Sequence, residues 1–137
     1  MEVYKSQFAS HGSFSIKVIN HCMIVDARGP YNKEIVDEYE STMQTAIESL
    51  SSRCWGQIIC LYGMSMFTPD AERRLAQTVE NRKHMGLKAS AIILVDVEAK
   101  SLVIQQMSSV YERCGVVFQF FECVEQGHAW INQELSP

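Results

Sequence analysis

At 137 residues, the chain has the length of one ordinary domain that can bury a sizeable hydrophobic core. Its content of 47% hydrophobic and 20% charged residues is typical of a folded globular protein and excludes an intrinsically disordered one. The net charge of −4 argues against a nucleic-acid-binding protein, because such proteins carry strongly basic surfaces.

Three features of the sequence bear on the compartment in which the protein works. The opening residues Met1–Gln7 lack the basic and apolar regions of a signal peptide. No apolar stretch approaches the roughly 20 residues that a transmembrane helix needs, so we expect a cytoplasmic protein without an integral membrane segment. The five cysteines show no C-x-x-C spacing, and we expect reduced, mostly buried thiols.

The first part of the chain predicts an antiparallel hairpin behind a short arm. Residues 1–12 are mixed and aperiodic, which predicts an N-terminal arm, loose or paired at a sheet edge, before a single domain over residues 13–137. Phe14–Val18 alternates apolar and polar side chains, as a half-buried strand does. A turn at Asn20 and His21 leads to a return strand over Cys22–Ala27.

The next segment carries the clearest helix pattern in the chain. Asn32 is a good N-cap, and the acidic residues Glu34, Asp37, Glu38 and Glu40 fall mostly away from the apolar stripe. The stripe that repeats at helical spacing is formed by Ile35, Tyr39, Met43, Ala46, Ile47 and Leu50. The continuous apolar run Ile58–Leu61 then predicts a strand that is covered on both faces.

The second predicted helix, about Pro69–Met85, is unusually polar. Thr68 suits its N-cap, Pro69 its first turn, and Gly86 its C-terminal end. We therefore expect this helix on the outside of the fold. Its basic residues predict a solvated face or, alternatively, an anion site or a self-association surface complementary to the acidic first helix; they are Arg73, Arg74, Arg82 and Lys83, with His84 and Lys88 nearby.

The remaining elements complete an alternating α/β order. Ala89–Val95 predicts a buried strand, and Asp96 can cap a helix that closes at Gly115. A strand over Val116–Phe121 and a helix over about Val124–Leu135 follow. The order β-β-α-β-α-β-α-β-α predicts an α/β fold with a mostly parallel five-stranded sheet, an N-terminal antiparallel hairpin and about four helices.

This element order, together with the chain's last strand and helix, resembles a known family. The residues are Val117-Phe118-Gln119-Phe120-Phe121 followed by Glu125-Gln126-Gly127-His128-Ala129-Trp130-Ile131. The pattern is similar to STAS-type, SpoIIAA-like domains, and more closely to the branch of small bacterial proteins related to CRAL-TRIO lipid carriers. The resemblance implies a STAS/SpoIIAA-like fold and a regulatory or binding role.

The family's phosphorylation site is altered in this chain. Anti-anti-sigma domains carry a phosphorylatable serine, after an Asp, at the start of the helix that follows the third strand. Here the corresponding place reads Thr68-Pro69-Asp70-Ala71, so the acceptor serine is missing and Ser65 and Thr68 are the nearest hydroxyls. Thr68 is primarily a helix cap; a phosphate there would nevertheless be favoured by the helix N-terminus.

The loop before that helix is the best candidate for a contact site: Tyr62, Gly63, Met64, Ser65, Met66 and Phe67. Its large apolar side chains either fold back onto the core or form an apolar pocket or interface, since methionine adapts to varied apolar surfaces. Gly63 would allow the backbone to approach a ligand or partner closely.

Residue types that carry catalysis or bind metals are not grouped in the sequence. The four histidines are scattered, and we find no catalytic pair, no metal-ligand spacing and no cofactor motif. We therefore predict a non-enzymatic module that binds a partner protein or an apolar small molecule through Tyr62–Phe67. The alternative is a phospho-regulated anti-anti-sigma-type switch at Thr68 or Ser65. A homodimer is a further expectation, and nucleic acid is not an expected partner.

Overall fold

The computed structural model describes the backbone of residues 2–8 and 12–137, and the side chains of residues 14–137. Residues 1 and 9–11 of the predicted arm lie outside this description. The elements follow in chain order: β1 Glu2–Phe8, β2 Gly12–Ile19, β3 Cys22–Arg28, α1 Lys33–Leu50, β4 Trp55–Tyr62, α2 Pro69–His84, β5 Leu87–Val95, α3 Lys100–Cys114, β6 Val117–Phe121 and α4 Val124–Leu135.

The strands form one mixed sheet, and the predicted α/β class is confirmed. Within the described ranges the sheet has six strands in the order β1-β2-β3-β4-β5-β6. The first three strands are antiparallel, and β3 to β6 are parallel. The sheet has one strand more than predicted, because residues 2–8 of the arm pair with β2 from Glu2↔Val18 to Phe8↔Gly12. The arm is therefore edge-pairing over these residues.

Helices cover the two faces of the sheet unequally. The helices α1, α2 and α3 form one layer, and the main hydrophobic core lies between this layer and the sheet. On the other face α4 packs over β4, β5 and β6, with Ile131 at the centre of a smaller core. Residues 55–61 of β4 are all buried. This agrees with the strand covered on both faces that the apolar run Ile58–Leu61 predicts.

Two helix starts agree with the sequence and a third does not. Asn32 Oδ1 accepts from the Ile35 amide at 2.9 Å, and Thr68 Oγ1 accepts from the Ala71 amide at 3.3 Å. The prediction that Asp96 caps the third helix is wrong, because α3 begins after Ala99, whose φ is +50°. A turn intervenes, and its Glu98 amide donates to the carbonyl of Gly63 at 2.9 Å. That bond attaches the turn to the loop after β4.

The contact between α4 and β4 depends on a glycine. A Cβ added to Gly56 would lie 2.5 Å from Cγ2 of the fully buried Ile131. We expect Gly56→Ala to lower the free energy of unfolding by about 1–3 kcal/mol through overpacking. In an Ile131→Ala background the same change should cost at least about 1 kcal/mol less. Urea denaturation of the four proteins checks this, and an equal cost in both backgrounds would contradict it.

Candidate functional site

The acidic helix α1 and the basic helix α2 face each other within the chain. Asp37 pairs with Arg74, and this hydrogen bond is the main reason why the pKa of Asp37 lies below its usual range. One turn further along, Glu40 pairs with Arg82. The opposite charges of α1 and α2, which in the sequence suggest a contact between two copies, thus pair with each other within one chain. The dimer remains a prediction, without that support.

The side chain of Arg82 is buried, which corrects the expected solvated face of the second helix for this one residue; Arg73, Lys83 and His84 are exposed. Arg82 is 1% exposed because α2 packs between α1 and α3 rather than lying free on the surface. Its Nη2 donates to Glu40 Oε1 and to Thr78 Oγ1, both at 3.0 Å, and its Nη1 donates to Gln57 Oε1 at 2.9 Å. Glu40, which the sequence also placed on the exposed side, is buried with it.

Hydrogen bonds continue from this ion pair into the sheet and α3. Gln57 of β4 donates through Nε2 to Ser90 Oγ of β5 at 3.1 Å and to the Tyr111 hydroxyl of α3 at 2.8 Å. Burial is the largest influence on Tyr111 and raises its pKa, so that hydroxyl stays protonated. The network therefore joins three helices and two strands through neutral amides and hydroxyls around one ion pair.

Sequence reasoning missed this cluster, although a signal for part of it was present. Ala71, Leu75, Val79 and Arg82 recur at spacings of four, four and three, so Arg82 continues the apolar stripe of α2. An arginine at such a position is buried with a partner or leaves the helix packing incomplete. The polar Gln57 beside an apolar strand run was a second signal.

A cavity of about 50 Å³ lies beside the ion pair, between the sheet and the helical layer. Among the described residues that line it, only Glu40 and Arg82 carry charge, and only Phe67 and Leu75 are partly exposed to solvent. The other lining residues are buried: Phe14, Val25, Ala27, Tyr31, Val36, Tyr39, Met43, Ile59, Leu61, Met107 and Tyr111. The cavity is thus an apolar space with one polar wall, closest to solvent at Phe67 and Leu75.

Two polar atoms of residues that line this cavity have no hydrogen-bond partner among the described residues. They are Arg82 Nε and the Tyr31 hydroxyl. Burial is the main cause that raises the pKa of Tyr31, and the Ser65 hydroxyl lowers it by a smaller amount. Because Ser65 interacts with the Tyr31 hydroxyl, Arg82 Nε–H is the clearer unpaired donor of the two.

The predicted contact loop folds back onto the core, and its last residue reaches the cavity. The Tyr31 amide donates to the Met66 carbonyl, and the Thr68 amide donates to the Tyr31 carbonyl, both at 3.0 Å. Gln106 of α3 holds Phe67 through both its amide and its carbonyl, at 3.0 and 2.9 Å. The Phe67 ring stacks on Tyr31 with centroids 4.5 Å apart and forms part of the cavity wall.

The earlier residues of the loop have other contacts and are not among the described residues that line the cavity. The Tyr62 hydroxyl donates to Asp26 Oδ1 at 3.2 Å, and burial is the first of several causes that raise the pKa of Tyr62 to about 12. Gly63 has φ +61°, a conformation that glycine adopts without strain. Met64 is partly buried. The structure thus separates Phe67 from the rest of the predicted site.

The two predicted phospho-acceptors differ in access. Ser65 is 0% exposed, and its hydroxyl donates to the Tyr62 carbonyl at 3.1 Å. Thr68 is exposed, and its hydroxyl donates to Asp70 Oδ1 at 2.7 Å while it caps α2. This hydrogen bond is the main reason why the pKa of Asp70 is lowered. Of the two hydroxyls, that of Thr68 is the one a kinase could reach in this conformation.

Comparisons with family models, with curated proteins and with solved structures found no match to this chain. Among the described helices, none is long and apolar enough to cross a membrane. Over the same part of the chain, no group of three or more His, Cys, Asp and Glu side chains is arranged to hold a metal ion. The cavity and the buried ion pair are therefore the features from which a function is argued.

The two ion pairs between α1 and α2 allow a matched test of the buried one. We expect Glu40→Ala to lower the free energy of unfolding by about 3–5 kcal/mol, because it leaves a buried guanidinium without its counter-charge. Asp37→Ala removes the neighbouring pair with Arg74, whose side chains are 39% and 34% exposed, together with the exposed Lys33–Asp37 pair, and should cost only about 1 kcal/mol. Guanidinium chloride denaturation measures both, and similar small losses would contradict the assignment.

Proposed function

We propose that the protein is a non-enzymatic binding module whose cavity behind Phe67 holds a small, largely apolar molecule. The observation that carries the proposal is the apolar space of about 50 Å³ beside an unpaired buried donor. Interiors of proteins are normally packed without such spaces, and a cavity lowers stability unless something fills it. Phe67 links this space to the loop that the sequence marks as a contact site.

The size of the cavity limits what it holds. One water molecule needs about 10–15 Å³ measured in this way, so the space of about 50 Å³ corresponds to roughly four heavy atoms. A long acyl chain, as carried by lipid-transfer proteins, requires the wall to move. The partly exposed Phe67 and Leu75 are the side chains whose displacement would open and enlarge the space.

Kinship with the STAS-type, SpoIIAA-like domains is part of the proposal. It is supported by the alternation from β3 to α4 and by strands β3 to β6 lying side by side in chain order. Such kinship is consistent with a binding or regulatory role, but folds host many functions and the role is argued from the cavity. A protein partner at the exposed start of α2 is compatible with the same role.

Xenon is a suitable probe because it enters dry apolar cavities without needing a hydrogen bond. We expect saturable, xenon-dependent shifts of methyl resonances that line the cavity, such as those of Val36 and Leu75. Val36→Ile should fill part of the space and weaken these shifts. Val103→Ile changes another buried helix valine that is not among the described lining residues, and should leave xenon binding intact. The measurement is ¹H–¹³C NMR under xenon pressure.

The results of that experiment distinguish xenon bound in the cavity from xenon bound elsewhere or not bound. Shifts that do not saturate, or that persist unchanged in Val36→Ile, would show that xenon does not occupy this cavity. Val103→Ile should also lower the free energy of unfolding by about 1–3 kcal/mol through overpacking, whereas a cavity-filling change commonly stabilises by about 0.5–2 kcal/mol. Equal destabilisation by both changes would mean that no usable space exists beside Val36.

A phospho-regulated switch at Thr68 is the second candidate function, favoured by the exposure of this hydroxyl at the N-terminus of α2. A phosphate there would interact favourably with the helix N-terminus. The carboxylate of Asp70, which accepts a hydrogen bond from the same hydroxyl, would oppose the negative charge of the phosphate.

We expect the intact mass of protein purified from its own cells to include one phosphate on Thr68. The control Thr68→Asn should lack it, because asparagine keeps the cap and removes the acceptor. An unmodified mass under several growth conditions would refute the switch.

A further inference from the structure

We propose that the molecule held in the cavity is electrically neutral and carries one hydrogen-bond acceptor, which receives the Nε–H of Arg82. This inference rests on the proposed function and specifies the class of its ligand: a compact molecule of a few heavy atoms with a carbonyl, ether or similar oxygen. Three observations lead to it, concerning the donor, the charge and the remaining walls of the cavity.

The donor is the one nitrogen of Arg82 that has no hydrogen-bond partner among the described residues. Nη1 and Nη2 together make three hydrogen bonds to Gln57, Glu40 and Thr78. Nε has no acceptor among the described residues, although the side chain is 1% exposed and lines the cavity. A guanidinium nitrogen only donates, and a buried donor without an acceptor is costly. An acceptor atom in the cavity removes this cost.

The charge follows from the ion pair beside the cavity. Glu40 and Arg82 are the only charged side chains among the described lining residues, and they neutralise each other. An anionic ligand would add an uncompensated charge to a buried space, which is strongly unfavourable. A cation would need the Glu40 carboxylate as its partner, but both oxygens of that group already accept hydrogen bonds. Oε1 accepts from Arg82, and Oε2 accepts from Gln44 Nε2 at 3.3 Å. A neutral acceptor fits both constraints.

The remaining walls require that the rest of the ligand be apolar. They are formed mainly by aliphatic and aromatic side chains, including Val25, Val36 and Met43. Water is the competing occupant, but a buried water typically makes about three hydrogen bonds. Apart from Arg82 Nε–H, the Tyr31 hydroxyl is the one other unpaired side-chain atom among the described lining residues. A molecule with one oxygen and an apolar body matches this surface better.

Three probes of nearly equal size and shape test the inference: acetone, isobutene and acetate. Isobutene has the same branched form as acetone without an acceptor, and acetate adds a negative charge. Each is titrated into the 137-residue protein, and the Arg82 Nε–H resonance, assigned through its own side-chain carbons, is followed in ¹H–¹⁵N spectra. Dissociation constants come from the same titrations through the methyl resonances of the lining residues.

We expect acetone to move the Arg82 Nε–H proton downfield in a saturable way, and isobutene and acetate to leave it in place. We also expect acetone to bind at least as tightly as isobutene, although water solvates acetone far better, because the donor compensates for the lost hydration. In Val36→Ile, which narrows the cavity, the acetone-induced shift should be lost.

Failure of the ligand class is distinguishable from failure of the binding site. If isobutene binds more tightly than acetone and acetone leaves the Arg82 proton unmoved, the cavity is a plain apolar site and the inference is overturned while the proposed function stands. A saturable shift with acetate would overturn the requirement for neutrality. If no probe binds, because water or tight packing fills the space, the proposed function and the inference fail together.

Discussion

Arg82 carries a positive charge from α2 into the interior, where Glu40 of α1 balances it. Moving both groups out of water costs several kcal/mol per ion, and their attraction offsets this cost only when the remaining hydrogen bonds are also made. Those bonds reach Gln57 of β4 directly, and Ser90 of β5 and Tyr111 of α3 through Gln57. The ion pair and its hydrogen bonds therefore link α1, α2 and α3 to one another and to the sheet, and the cavity lies among the elements that they link.

The cavity exists where this polar cluster adjoins side chains that do not fill the neighbouring space. Tyr31 and Phe67 stack against each other at its edge, and the backbone of Tyr31 bonds on both sides of Phe67. Gln106 then holds Phe67 from α3. The loop after β4 is thus held against the core, and of the residues predicted as a contact site Phe67 alone is among the described residues that line the cavity.

Periodicity and capping chemistry predicted most of the fold. Alternation in β2, the buried run of β4 and the caps Asn32 and Thr68 are local features that a short window contains, and each element they predicted is present. The sequence does not decide between a loose arm and an edge strand over residues 2–8, because pairing with β2 depends on register rather than on a pattern within the strand. Charge alone predicts solvated positions for Arg82 and Glu40. Their burial depends on which helix lies opposite, and a single helix wheel does not contain that information. The cavity depends in the same way on side chains from many elements.

A buried ion pair is a weak device for stability, since well-packed apolar residues of similar volume often do as well or better. What Arg82 provides that an apolar residue would not is a fixed donor at the wall of an otherwise apolar space. Its terminal nitrogens make three hydrogen bonds, to Gln57 of β4, Glu40 of α1 and Thr78 of α2 itself, and these bonds hold the guanidinium plane in place. A donor held in this way loses little conformational freedom when it binds an acceptor, which is why the proposed ligand is expected to use it. The hydrogen bonds that connect the helical layer to the sheet therefore also restrain the proposed donor.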